Sequence, residues 1–191
     1  MRVNRHRPNN FKKVATPCID DHQLNPSDFE VVGKVKPHAA KIVLKCIYGA
    51  RTNRMDLYWT VNTLARNVTK WTVADDKRLH NLMCYIEHTA DWVLKAHVGD
   101  YPEDIRVIEF VDASFAGDLT DSKSTSASVH CLIGPRTFVP ITWMCKKQGA
   151  VSHSSSEAEV IALEMAMRME VLTGLQMWDA VIDVYDGKSA E

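Results

Sequence analysis

Residues 106–118 read Arg-Val-Ile-Glu-Phe-Val-Asp-Ala-Ser-Phe-Ala-Gly-Asp, and this stretch decides the fold. Its first half is rich in β-branched and aromatic residues, which predicts a strand over 106–111 ending at Asp112. Residues 126–133 predict a second strand, Gly134-Pro135-Arg136 supplies a turn, and residues 138–145 predict a third. A long helix follows. Ser154 and Glu157 have capping-box spacing, and Val160, Leu163, Met167, Val171 and Leu175 keep helical time toward residue 180. Three strands followed by one long helix predict an α+β (mixed α/β) architecture, a three-stranded sheet with the helix laid on one face.

Upstream the texture is helical. Ala39, Ile42, Val43, Cys46 and Ile47 define one apolar stripe; Leu57, Val61, Leu64 and Val68 define a second, and Leu79, Leu82, Met83 and Ile86 a third. Asp75 and Asp76 stand where the third helix starts, at the positive end of its dipole. Residues 1–37 are polar and broken by Pro8, Pro17, Pro26 and Pro37. The expected organisation is therefore an extended arm or linker over 1–37, a helical segment over 38–90 and an α+β domain over 91–191. Arg2, Arg5, Arg7, Lys12 and Lys13 on the arm could touch phosphates, although a solvated terminus is the more ordinary reading.

The chain has 191 residues, 46% hydrophobic and 25% charged, which favours a globular protein over a disordered one. A formal net charge of -1 excludes a global basic field, so any nucleic-acid surface must be local. The five cysteines are scattered, without CxxC pairing, which points to reduced intracellular thiols. The basic N-terminus has no apolar core behind it and does not read as a signal peptide, and no apolar run suits a membrane span.

Two carboxylates carry the chemical interest. Asp112 ends a predicted strand ahead of small residues that would let a ligand approach, and Glu159 lies near the start of the long helix. Oxygens converging from a strand end and a helix N-terminal turn could hold Mg²⁺, which shares its ligands with substrate phosphates. Both residue types also occur at such places for local reasons.

Asp112-Ala-Ser-Phe-Ala-Gly-Asp118 resembles the strand-end motif of the ribonuclease H domain in copia-type LTR retrotransposon Pol polyproteins. Lys123-Ser-Thr-Ser126, Ile141-Thr-Trp143, Lys146-Lys147-Gln148 and Ser155-Ser-Glu-Ala-Glu159 follow in that family's order. Tyr48-Gly-Ala-Arg, Arg54-Met-Asp-Leu57 and 77–85 are similar to the helical segment between polymerase and ribonuclease H parts. The resemblance covers residues 14–184. It implies a ribonuclease H-like fold and two-metal cleavage of the RNA strand of an RNA–DNA hybrid, with Mg²⁺ or Mn²⁺ as cofactor. It assigns Asp112 to the first metal-binding aspartate and Glu159 to the helical glutamate, leaving Glu157 to the cap. Lys146, Lys147 and Arg136 become candidate contacts to the hybrid backbone. Asp118 and Asp121 suit loop shaping, and Trp143 suits either base stacking or the core. The implied partners are the hybrid and the polymerase part of the same polyprotein, with no membrane. The implied location is cytoplasmic (virus-like particle) or nuclear.

The pattern also departs from the family. Its third metal-binding aspartate belongs to a strand after the long helix, about where Glu191 ends the sequence, so the expectation is a domain truncated at its C-terminus. Asp183 or Asp186 would have to stand in, although both read as the helix tail and its exit turn. No Tyr-x-Asp-Asp polymerase motif is present. The alternative to an enzyme is an inactive, degenerate or truncated remnant with at most weak nucleic-acid binding. A module that docks residues 38–88 on a polymerase domain is a third.

Overall fold

The computed structural model describes residues 11–117 and 121–187. Arg2, Arg5, Arg7 and Asp118 lie outside the described residues. The chain forms two compact units, Met1–Leu94 and Lys95–Glu191.

The first unit is helical, with α1 over Lys36–Thr52, α2 over Tyr58–Arg66 and α3 over Val73–His88. The predicted stripes supply its core: Ala39, Val43, Leu57, Val61, Leu64, Leu79 and Leu82 are all buried around Trp71. Asp75 and Asp76 do more than face a dipole. Asp75 closes a capping box with Thr72 at the start of α3. Asp76 accepts the Trp71 indole N–H at 2.7 Å and the backbone amides of Lys34 at 2.6 Å and Val35 at 3.2 Å. The segment before α1, expected as an extended arm, is docked where it is described. Val32 bridges Thr72, Lys77 pairs with Asp28 at 2.5 Å, and Val14 packs against the core. The arm's prolines stop regular helix without stopping tertiary contact, and Pro26 opens a short 3₁₀ turn.

The second unit is an α+β fold. An antiparallel meander runs β1 (Arg106–Ser114), β2 (Thr125–Gly134) and β3 (Thr137–Lys147), in sheet order β1-β2-β3. Asp112 is therefore two residues inside β1, opposite Ala127. The long helix is α4 (Ser155–Ala166), a π turn (Met167–Val171) and α5 (Leu172–Tyr185). Its buried positions are Ala158, Ala162, Met165, Ala166, Glu170 and Gly174, whereas Val160 and Leu163 are more than half exposed. The large apolar residues Val160, Leu163, Met167 and Leu175, which keep helical time, thus lie on the exposed side of the helix. Small residues occupy the contact because they let helix and sheet backbones approach closely. Among the described residues no helix is long and apolar enough to cross a membrane.

Candidate functional site

The best-placed carboxylates of the second unit flank a contact between small side chains. Ala113 of β1 packs with Ala158 and Ala162 of α4, and Val111 lies against the same cluster. Asp112 is the chain neighbour of Ala113, and Glu159 is the chain neighbour of Ala158. The pleat turns successive side chains to opposite faces, so Asp112 leaves β1 on the face away from α4, where it is exposed. Glu159 is half-buried beside the Ala158 contact.

Local chemistry holds α4 in this place. Ser154 Oγ accepts the Glu157 amide at 3.1 Å, and the Glu157 carboxylate accepts the His153 amide at 2.6 Å. Glu157 is thus engaged at the cap, and Glu159 is not part of it. Gln148 ties the helix start to the sheet. Its side-chain amide donates to Ser126 Oγ at 3.0 Å and to the Ala158 carbonyl at 2.9 Å, and its carbonyl accepts from Ser152 at 2.8 Å. Gln148 is 2% exposed, so these bonds are shielded from water and fix where the helix begins. The loop after Asp112 has Ala116 at φ 49°, a left-handed conformation unusual for alanine, and the Ala116 amide donates to buried Ser124.

The basic candidates separate. Ala113, Ser126 and Lys146 are register partners across the sheet, so exposed Lys146 stands at the same end as Asp112. Lys147 shares that end but pairs with Asp121 at 2.7 Å, and Asp121 also accepts the Lys123 amide. Asp121 thereby shapes its loop. Arg136 sits in the β2–β3 turn, bonded to Asp100, at the opposite end of the sheet. Trp143 is buried, at 8% exposure.

Asp183 and Asp186 are not brought to Glu159. The helical run is continuous from α4 through α5, so Asp183 lies about 35 Å along the axis at ~1.5 Å per residue. Asp186 lies beyond it, at the helix C-terminus. The reason is plain: both belong to the tail of the same helix, and no turn returns them. Among the described residues no group of three or more His, Cys, Asp or Glu side chains is arranged to hold a metal ion.

A second polar constellation lies beneath the π turn. The Ser128 hydroxyl donates to Glu170 at 2.6 Å and the Thr142 hydroxyl donates to its other oxygen at 3.1 Å. Glu109 meets His130 Nδ1 at 2.5 Å. His130 is fully buried, and its Nε2 lies where Gly174 brings the α5 backbone against the ring. Neither Nε2 nor Glu109 Oε1 has a hydrogen-bond partner. A proton on Nδ1, donated to Glu109, leaves a lone pair at Nε2. The opposite tautomer would bury an unsatisfied N–H, the costlier orphan. Hydrophobic periodicity gives no sign of this network. The only sequence signal is a Glu and a Gly spaced four apart on the face occupied by small residues.

Burial pushes the Glu109 carboxyl above its ordinary range; the hydrogen bond from His130 opposes the shift, and the Glu170 charge adds to it. With the folded value raised, the folded state binds the proton more tightly, and stability declines as pH rises from the ordinary glutamate range through the folded value. Glu109→Gln is therefore expected to raise the melting temperature of this unit near pH 8, with an advantage that shrinks toward pH 4. Thermal melts of both proteins across that range test it; a variant less stable than the parent at pH 8 would contradict the assignment.

Compared with known proteins, the chain matches no family profile, and no solved structure matches it.

Proposed function

We propose that this chain carries part of the metal centre of a ribonuclease H-type nuclease of copia-type retrotransposon lineage, acting on the RNA strand of an RNA–DNA hybrid. The observation that carries the reading is the Ala113–Ala158–Ala162 contact, which seats the strand residue next to Asp112 against the helix residue next to Glu159. In this reading a strand carboxylate and a helix carboxylate, each next in sequence to that contact, offer oxygens to a hard cation. Mg²⁺ takes one or two protein carboxylates and fills its remaining positions with water and substrate phosphate. When bound, such ions activate a water and stabilise the leaving oxygen of a phosphodiester. In this reading Asp112 and Glu159 supply oxygen ligands, Gln148 and the Ser154 cap fix the helix, and Lys146 meets a backbone phosphate. The helical first unit belongs to the connection with a polymerase part of the same polyprotein.

The second reading is a non-catalytic remnant that binds nucleic acid weakly. The outward turn of Asp112 and the distance to Asp183 and Asp186 favour it. Incubating the purified chain with end-labelled RNA–DNA hybrid, duplex RNA and single-stranded RNA separates the two. The nuclease reading expects cleavage of the hybrid's RNA strand with Mg²⁺ or Mn²⁺ and none with chelator. Intact RNA in every lane, from folded protein, supports the remnant.

A further inference from the structure

We propose that the outward face of α1 is a docking strip for single-stranded nucleic acid, with the backbone on Lys41, Lys45 and Arg51 and a base against Tyr48. Between Lys36 and Thr52 the helix contains no Asp or Glu. Lys41, Leu44, Lys45, Tyr48 and Arg51 follow helical spacing, and all five are exposed. They span about 15 Å of axis at 1.5 Å per residue, enough to follow two to three phosphates of a strand.

The charges on this strip are uncompensated, although the unit has carboxylates to offer. Asp21 and Asp75 pair with Arg78, Asp28 with Lys77, and Asp56 with Arg54. Asp76 is taken by two amides and an indole. Among the described residues none of Lys41, Lys45 and Arg51 forms an ion pair. In a chain of formal charge -1 this is a local concentration of positive charge, the condition set by composition for any nucleic-acid surface.

Tyr48 distinguishes the form of polyanion. It is 74% exposed at the centre of the cationic strip, and a free aromatic face there suits a splayed base better than a closed duplex. An anionic membrane fits less well. The apolar face of α1, with Ala39 and Val43, is consumed by the unit's core, which leaves only Leu44 and Tyr48 outward. That is too little apolar surface for a helix to insert at a lipid interface. The inference concerns the first unit and stands apart from the carboxylates of the second.

The test is fluorescence anisotropy of a labelled oligothymidylate of about 20 nucleotides with the full chain, in EDTA, so that metal bridging at Asp112 and Glu159 plays no part. Binding is expected to weaken with salt at a log–log slope of about -2, from three contacts at ~0.7 each. The K41Q/K45Q/R51Q variant is expected to bind at least ten-fold more weakly at low salt, with the slope close to zero. Tyr48→Ala is expected to weaken binding roughly five-fold or more, and Tyr48→Phe to restore it. Undiminished binding by the triple variant would overturn the proposal. So would equal preference for duplex with no effect of Tyr48→Ala, or binding to phosphatidylserine vesicles without binding to the oligonucleotide.

Discussion

Trp71→Ala is expected to cost the first unit about 4 kcal/mol, the middle of the range for emptying a buried aromatic site. Trp71 is 1% exposed at the centre of the helical core. Its removal leaves a cavity among Val43, Leu64 and Leu82 and also strips Asp76 of its indole partner. Asp76 still has to satisfy the Lys34 and Val35 amides, so the loss reaches the junction between the docked N-terminal segment and α1. Calorimetry of the full chain should show the corresponding transition falling by more than about 15 °C, at ~4–8 °C per kcal/mol for a unit of this size. A fall of only a few degrees would mean that the indole is not the centre of this core.

Gly174→Ala is the second large effect, and its sign runs against helix propensity. Alanine in place of a mid-helix glycine ordinarily adds about 1 kcal/mol. Here the added Cβ would lie 2.0 Å from His130 Nε2 and 2.6 Å from Cε1. The ring has nowhere to go, because Nδ1 is held by Glu109 and the residue is fully buried. Overpacking of about 3 kcal/mol therefore outweighs the propensity gain and leaves the second unit about 2 kcal/mol less stable, or on the order of 10 °C in melting temperature. The companion His130→Ala should remove the clash, so the double variant should lose less than the sum of the singles. A Gly174→Ala protein as stable as the parent would show that the α5 backbone does not press on the ring.

The two units differ in how much their residues disclose. In the first, the stripes of α1, α2 and α3 were legible because large apolar side chains face inward at helical spacing and little else competes for the core. In the second, the strands were legible from their β-branched content, and each is longer than its richest apolar run. The long helix is legible as a helix, but its buried face is not, for a physical reason. Apart from Met165, its buried apolar positions are Ala158, Ala162, Ala166 and Gly174, too small to register as hydrophobic, and Leu163 and Met167 on the outer face mimic a core stripe. The π turn adds to the difficulty. An α-helical continuation from Ala162 and Ala166 would bury residues near 169 and 173, but the wider turn shifts the buried positions to Glu170 and Gly174 and leaves Met169 exposed. Glu170 and Gly174 continue the spacing of four set by Ala158, Ala162 and Ala166, but neither a Glu nor a Gly registers as part of a hydrophobic stripe, and so the Glu109–His130 and Glu170 networks carry no apolar signal. Of the candidate site, the Ser154 cap was legible from its spacing. The tie made by Gln148 was not, since a polar residue at a strand end ordinarily reads as solvated.

Cleavage by the parent chain beside Asp112→Asn and Glu159→Gln tests the central claim most directly. Each change removes a negative charge from an exposed or half-buried carboxylate without altering its size, so folding should be preserved. With Mg²⁺ or Mn²⁺ the parent is expected to cut the RNA strand of a labelled hybrid, and each variant to lose at least a hundred-fold in rate, with Glu157→Gln close to the parent. Full cleavage by Asp112→Asn, or no cleavage by folded parent protein, would contradict the account.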